Sequence, residues 1–166
     1  MKELKYFVII GLLLVAFITN AQKPRYLKTD TYEGVVFHKY WATYPKYYFS
    51  PTDKEIAVME KKLPGKIGEL LSNFEKKERS VSPYNSVRHC DFVEDLGRFK
   101  RQYCGHWIKG DKVIMAQFFI DVPSDWKKVM IIPGELSGNR SCKEFGITYS
   151  ITSGKFCGFF EDTSPM

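Results

Sequence analysis

The sequence predicts an α+β domain in which one long kinked helix lies across an antiparallel meander sheet. Three observations lead there. Between Ser50 and Phe74, Ile56, Leu63 and Leu70 recur every seven residues, and Met59, Ile67 and Phe74 form a second row beside them. Two such rows make one apolar stripe, which a helix must bury against another element. From Gly97 onward the apolar period shortens to two, the period of a half-buried strand. Gly110-Asp111 and Ser153-Gly154 break these runs at the short intervals that join antiparallel neighbours.

The chain begins differently. Lys2 and Lys5 form a basic end, Phe7 to Ile18 an apolar run, and Thr19-Asn20-Ala21 a small-residue cleavage site. These are the parts of a secretory signal peptide over residues 1–21. An apolar run of about a dozen residues is too short to cross a hydrocarbon layer about 30 Å thick. No stable membrane span is therefore expected after cleavage. No cysteine sits just past the cleavage point, so a lipoprotein anchor is not indicated. The peptide is bacterial in style, and the mature protein is expected to be exported, periplasmic or extracellular. Residues 22–31, polar and containing Pro24, read as a flexible lead-in, and residues 32–162 as a single α+β domain.

Glu33 to His38, built on the β-branched pair Val35-Val36, suits a first strand. An aromatic stretch follows, with Phe37, Tyr40, Trp41, Tyr44, Tyr47, Tyr48 and Phe49, and Pro45 confines part of it to edge or loop. Thr52 with Glu55 three positions later makes a capping box that opens the helix. Pro64-Gly65 falls inside that helix, where proline removes a hydrogen bond and crowds the preceding turn. The apolar rows nevertheless stay in phase from Leu63 through Ile67 to Leu70. One bent helix satisfies this, as do two abutting helices sharing a face.

Glu75 to Arg88 is charged and then turn-rich, with Ser82-Pro83 and Asn85, and reads as a surface loop. Phe99, Arg101, Tyr103, Gly105 and Trp107 then alternate with Lys100, Gln102, Cys104, His106 and Ile108. Val113 to Ile120 returns as a second strand, and Val129 to Ile132 reads as a short buried one. Pro133 to Ser141 is a loop. Phe145, Ile147, Tyr149 and Ile151 mark the clearest half-buried strand, and Phe156 to Phe160 closes the meander.

The 166 residues, 44% hydrophobic and 27% charged, provide for one globular domain with a core. Loss of the signal takes the basic residues from 25 to 23 and the acidic from 19 to 18, leaving a net charge of +5. Both signs are interspersed, with no basic block or nucleic-acid motif, so nucleic acid is not an expected partner. Aromatic residues stand at 16%, an excess that points to a binding patch beyond the core.

Cys90, Cys104, Cys142 and Cys157, in an exported chain, read as two disulfides, and three pairings are possible. His89-Cys90-Asp91 with Cys104-Gly105-His106 offers imidazoles and thiols to zinc, or a Cys–His nucleophile pair. The spacing lacks the short cysteine pairs of a zinc module, and oxidised cysteines ligate nothing. No metal or other cofactor is expected. Arg101 alternates inward with Phe99, Tyr103 and Trp107. It is read as a structural arginine paired with Asp91, Glu94 or Asp95, or else as an anion-binding arginine in an aromatic pocket. Asn139-Arg140-Ser141 matches a glycosylation acceptor, a chance match in a bacterial chain.

The order of strand, long helix and short-turned strands resembles the cystatin-like arrangement. Phe49-Ser50-Pro51-Thr52 with Arg101-Gln102-Tyr103-Cys104-Gly105, then Gly110, Lys112 and Ile114, resembles a group of small exported bacterial proteins of uncharacterised function. The likeness spans Phe49 to Ile132. It departs at Pro133-Gly134-Glu135, where that group carries an Asp-Gly-Gly run. The resemblance implies the fold and export and no mechanism.

The expectation is a secreted or periplasmic non-enzymatic module. It would recognise a protein or glycan partner through aromatic loops at Tyr40, Trp41, Tyr44, Tyr47 and Tyr48. The alternative is a small-molecule pocket protein or hydrolase-like enzyme using Arg101, Tyr103 and His106 in the mouth between helix and sheet. A purely structural envelope component is a third reading.

Overall fold

The computed structural model describes residues 23–38, 47–81, 94, 96–131 and 143–160. Among them run β1 (Arg25–Lys28), β2 (Glu33–Phe37), β3 (Tyr48–Phe49), α1 (Asp53–Lys62), α2 (Ile67–Val81), a 3-10 turn (Leu96–Arg98), β4 (Lys100–Ile108), β5 (Asp111–Phe119), β6 (Glu144–Ser150) and β7 (Lys155–Phe160). The strands form one sheet in the order β1-β2-β4-β5-β6-β7, with β3 also beside β4. The α+β class is as expected, and the sheet is mostly antiparallel.

Strands β4 to β7 form the antiparallel meander, and β1 pairs antiparallel with β2. The pairing of β2 with β4 is parallel, which corrects the expectation of a purely antiparallel sheet. Parallel neighbours need a long crossover, and the two helices provide it. Strand β2 ends opposite Cys104, and β3 runs from opposite His106 to opposite Gly105, so β3 takes over the edge of β4 where β2 ends.

Helix α1 starts as the sequence requires. Thr52 N–H donates to Glu55 Oε2 at 2.8 Å, and Glu55 N–H donates to Thr52 Oγ1 at 3.3 Å. The single long kinked helix is replaced by two. α1 ends at Lys62, and the Lys66 and Ile67 N–H groups both donate to the Leu63 carbonyl at 2.9 Å. Pro64, with no N–H to give, sits inside that turn. The two helices still share one face: Ile56, Met59, Leu63 and Ile67 are all fully buried in one cluster. That cluster includes Val36, Tyr103, Ile114, Ala116, Phe118, Phe145, Ile147 and Tyr149, from the inward face of β2, β4, β5 and β6. The Phe118 and Phe145 rings stack with centroids 4.4 Å apart.

The opposite face of the sheet carries a smaller core of Val35, Phe37, Phe119, Trp126 and Ile131. Gln102, alternating away from the helices, fastens the covering segment. Its Nε2 donates to the Trp126 and Val129 carbonyls at 2.8 and 2.9 Å, and its Oε1 accepts from Ile131 N–H at 2.7 Å. The short strand expected from Val129 is therefore not one in the described residues. Val129 is 55% exposed, and Ile131 is bonded to a side chain rather than to a ladder. The stretch expected to be a flexible lead-in also contains structure, since Arg25–Lys28 is β1 and Leu27 packs on the main core. This short edge strand, with Arg25 and Lys28, resists further pairing.

Of the surface loop expected from Glu75 to Arg88, the first part, residues 75–81, is instead the end of α2, and the rest lies outside the described residues, as do the signal peptide and the loop from Pro133 to Ser141. Among those described, no helix is long and apolar enough to cross a membrane.

Candidate functional site

The first unusual feature is a buried ion pair between helix and sheet. Glu60 occupies the apolar stripe of α1 between Met59 and Leu63, so α1 aims its carboxylate at β4. Arg101 and Tyr103 point toward it from alternate positions of β4. Arg101 Nε lies 3.2 Å from both Glu60 oxygens, and the Tyr103 hydroxyl donates to Glu60 Oε1 at 2.8 Å. All three residues are buried. Burial pushes the Glu60 carboxyl up, against the lowering effect of the Arg101 charge and the Tyr103 hydrogen bond. Burial and the adjacent Glu60 charge push the Tyr103 hydroxyl well above its usual value.

Arg101 is fully engaged. Its NH1 donates to the Phe99 carbonyl and its NH2 to Leu96 O at 2.9 Å. The guanidinium sits over the rings of Tyr32 and Phe118, 5.5 and 5.2 Å from their centroids. It thus ties α1, β4 and the 3-10 turn together with its charge already matched by Glu60. A cavity of about 840 Å³ opens beside the pair, lined in part by Tyr32, Glu60, Lys61, Lys100 and Arg101. Arg101 is thus paired with Glu60, and of the partners expected from the sequence Asp91 and Asp95 lie outside the described residues.

The second feature is the aromatic end of the sheet, where β3 meets β4. The Phe49 ring lies over Gly105, where a Cβ would come within 2.6 Å of it. Only a residue without a side chain allows that approach. Phe49 tilts against Trp107 at 5.8 Å, and Lys112 Nζ lies 4.6 Å from the Phe49 centroid. Glu55 Oε1 accepts from that ammonium at 2.6 Å, joining the start of α1 to the aromatic end. On the other face Tyr48 stacks on His106, with centroids 4.9 Å apart and planes 17° from parallel. Partial burial lowers the His106 pKa and favours the neutral imidazole. Tyr47, Trp107 and Ile108 are each 42% exposed at this end.

The alternative grouping of Arg101, Tyr103 and His106 is not assembled. Arg101 and Tyr103 face the helices, while His106 lies on the other face against Tyr48. Of the aromatic set, Tyr47 and Tyr48 are placed at the β3–β4 end, and Tyr40, Trp41 and Tyr44 lie outside the described residues. Cys104 is a buried free thiol and Cys157 an exposed one, while Cys90 and Cys142 lie outside the described residues. The expected two-disulfide pattern therefore has no bridge at Cys104 or Cys157 in this structure. Burial pushes the Cys104 thiol up to about 12, which leaves it protonated and unreactive.

Glu60 and Gln102 escaped the sequence reading. Glu60 did leave a signal, an acid in the apolar stripe opposite an arginine that alternates inward. Gln102 left none, because an outward amide on a strand reads as solvent-facing until a covering segment is known. Compared with known proteins, the chain matches no family model, no curated protein and no solved structure.

Proposed function

We propose that this is an exported, periplasmic or extracellular binding module, non-enzymatic, that recognises a protein or glycan partner through its aromatic end. The observation that carries this reading is the exposure of Tyr47, Trp107 and Ile108 at the end of the sheet where β3 pairs with β4, Trp107 and Ile108 on its two faces. Exposed apolar residues grouped at one place mark contact surfaces, whereas single ones do not. The stretch that holds Tyr40, Trp41 and Tyr44 leaves from β2 and returns through β3, so the strands at its two ends lie beside Cys104 and His106 of β4. Rigid aromatic side chains with polar tips lose little entropy on binding and suit protein and sugar surfaces alike. Paired helices over one face of a sheet, sharing one core, support the cystatin-like arrangement as the scaffold of this surface.

Capture from a bacterial envelope extract and from a glycan array tests the reading. Tyr47→Ala and Trp107→Ala should each abolish capture of the partner while leaving the unfolding midpoint within a few degrees of wild type. Undiminished capture by both variants would remove the aromatic end as the contact surface.

A further inference from the structure

We propose that the groove between the α1–α2 turn and the β6–β7 turn binds a small organic anion carried on an apolar stem. It has a volume of about 560 Å³, within the range of roughly 300–1,000 Å³ for small-molecule sites. Lys62, Lys66 and Lys155 line it, against Glu69 as the single acidic residue of the lining. Glu69 is already engaged by Lys66 at 2.7 Å.

Lys62 is held by neutral groups. Its Nζ donates to Gly154 O at 2.8 Å and to the Tyr149 hydroxyl at 3.3 Å, and lies 5.6 Å from the Tyr149 ring centroid. Gly154, at φ +67°, turns the chain so that its carbonyl meets this ammonium. Among the described residues no carboxylate pairs with Lys62 or Lys155. An ammonium positioned by neutral oxygens keeps its charge available to an incoming anion.

The rest of the lining is apolar. Leu70 and Phe156 are half-buried, rest on the main core and present a wall beside the lysines. A carboxylate or phosphate monoester would set its charged oxygens against Lys62 and Lys155 and lay its stem along Leu70 and Phe156. This site is separate from the aromatic end and does not depend on it.

The test is titration of the ¹⁵N-labelled protein with n-octyl phosphate below its micelle concentration. Inorganic phosphate, octyl glucoside and phosphatidylglycerol vesicles serve as comparisons. Expected is saturable binding with amide shifts confined to Lys62–Leu70 and Gly154–Phe156. Lys62→Gln and Lys155→Gln should each weaken it roughly tenfold, the scale of one hydrogen bond to a charged group. Lys54→Gln, on the exposed side of α1, should leave it unchanged. Inorganic phosphate should bind at least tenfold more weakly, and octyl glucoside not at all. Lys155 is exposed, so its variant keeps the test valid should Lys62→Gln unfold. No shifts at millimolar octyl phosphate, shifts elsewhere, equal affinity for inorganic phosphate, or binding to vesicles alone would each overturn the proposal.

Discussion

Arg101 Nε on β4 stands 3.2 Å from both carboxylate oxygens of Glu60 on α1, inside the layer between helix and sheet. Both side chains are almost wholly withdrawn from solvent, so the pair fixes how far and at what height α1 rides over β4. Tyr103 adds a neutral donor to the same carboxylate. An apolar pair of equal volume would pack as well but would not choose one register.

Removing one charge should cost far more than removing both. Glu60→Leu and Arg101→Met should each lower unfolding free energy by about 3–5 kcal/mol, because the surviving charge stays buried without its partner. The double variant Glu60→Leu, Arg101→Met should recover most of that loss. Tyr103→Phe should cost about 1 kcal/mol. Urea unfolding of wild type, the two single variants and their double completes a double-mutant cycle, and additive single losses would show that Glu60 and Arg101 do not act as a pair.

Much of this architecture could be read from residue order alone. The capping box at Thr52 and Glu55, the stripe through Ile56, Met59, Leu63 and Ile67, and the alternation through Phe145, Ile147 and Tyr149 each rest on local spacing. Three features do not. The break after Lys62 depends on whether Leu63 can bond both Lys66 and Ile67, which periodicity does not register. The strand at Arg25–Lys28 exists because β2 offers it an edge, a long-range gain that outweighs its polar composition. The parallel pairing of β2 with β4 follows from the path of the crossover, which strand patterns do not encode. At the site, Arg101 was legible as an inward charge, whereas its partner became evident only once α1 was laid over β4.

Acid should weaken the protein through Glu33. Its carboxyl is held at about 2, first by the Lys100 hydrogen bond and then by that of Tyr26. Tyr26 donates to Oε1 at 2.6 Å, and Lys100, its register partner, contacts Oε2. A carboxyl whose folded pKa is depressed contributes stability above its unfolded pKa of about 4.3, and that contribution fades as pH falls toward 2. Both Glu33 and Lys100 reach solvent, and screening limits the contribution to about 1 kcal/mol or less. Glu60, raised by burial, has the opposite slope, which makes the comparison with Glu33→Gln necessary. Between pH 6 and pH 2.5 the gap between wild type and Glu33→Gln in urea should close. A gap that stays constant would mean that Glu33 is not linked to folding.

Gln102 should act as the fastener of the second face. Gln102→Leu leaves the Trp126 and Val129 carbonyls and the Ile131 N–H without their partner. A loss of about 2–3 kcal/mol is expected from three hydrogen bonds at roughly 1 kcal/mol each. Hydrogen exchange at Ile131 should rise by two or more orders of magnitude while amides in β5 and β6 change only with global stability. Unchanged protection at Ile131 would show that Trp126 and its apolar neighbours hold the segment by themselves.

The sheet register also restricts the cysteines. Cys104 pairs with Met115, Met115 with Thr148, and Thr148 with Gly158, the neighbour of Cys157. Three strand spacings put Cys104 and Cys157 on the order of 14 Å apart, against the roughly 4.4–6.8 Å that a disulfide spans between Cα atoms. Those two thiols therefore do not join, and one of the three two-bridge patterns is excluded. Peptide mapping without reduction should recover no Cys104–Cys157 linkage. Where both remain thiols, iodoacetamide should label exposed Cys157, whose Sγ is 3.4 Å from Thr148 Oγ1, and spare Cys104 until the protein is unfolded. Labelling of the two at equal rates in the folded protein would mean that β4 and the segment over its outer face open far more readily than their packing allows.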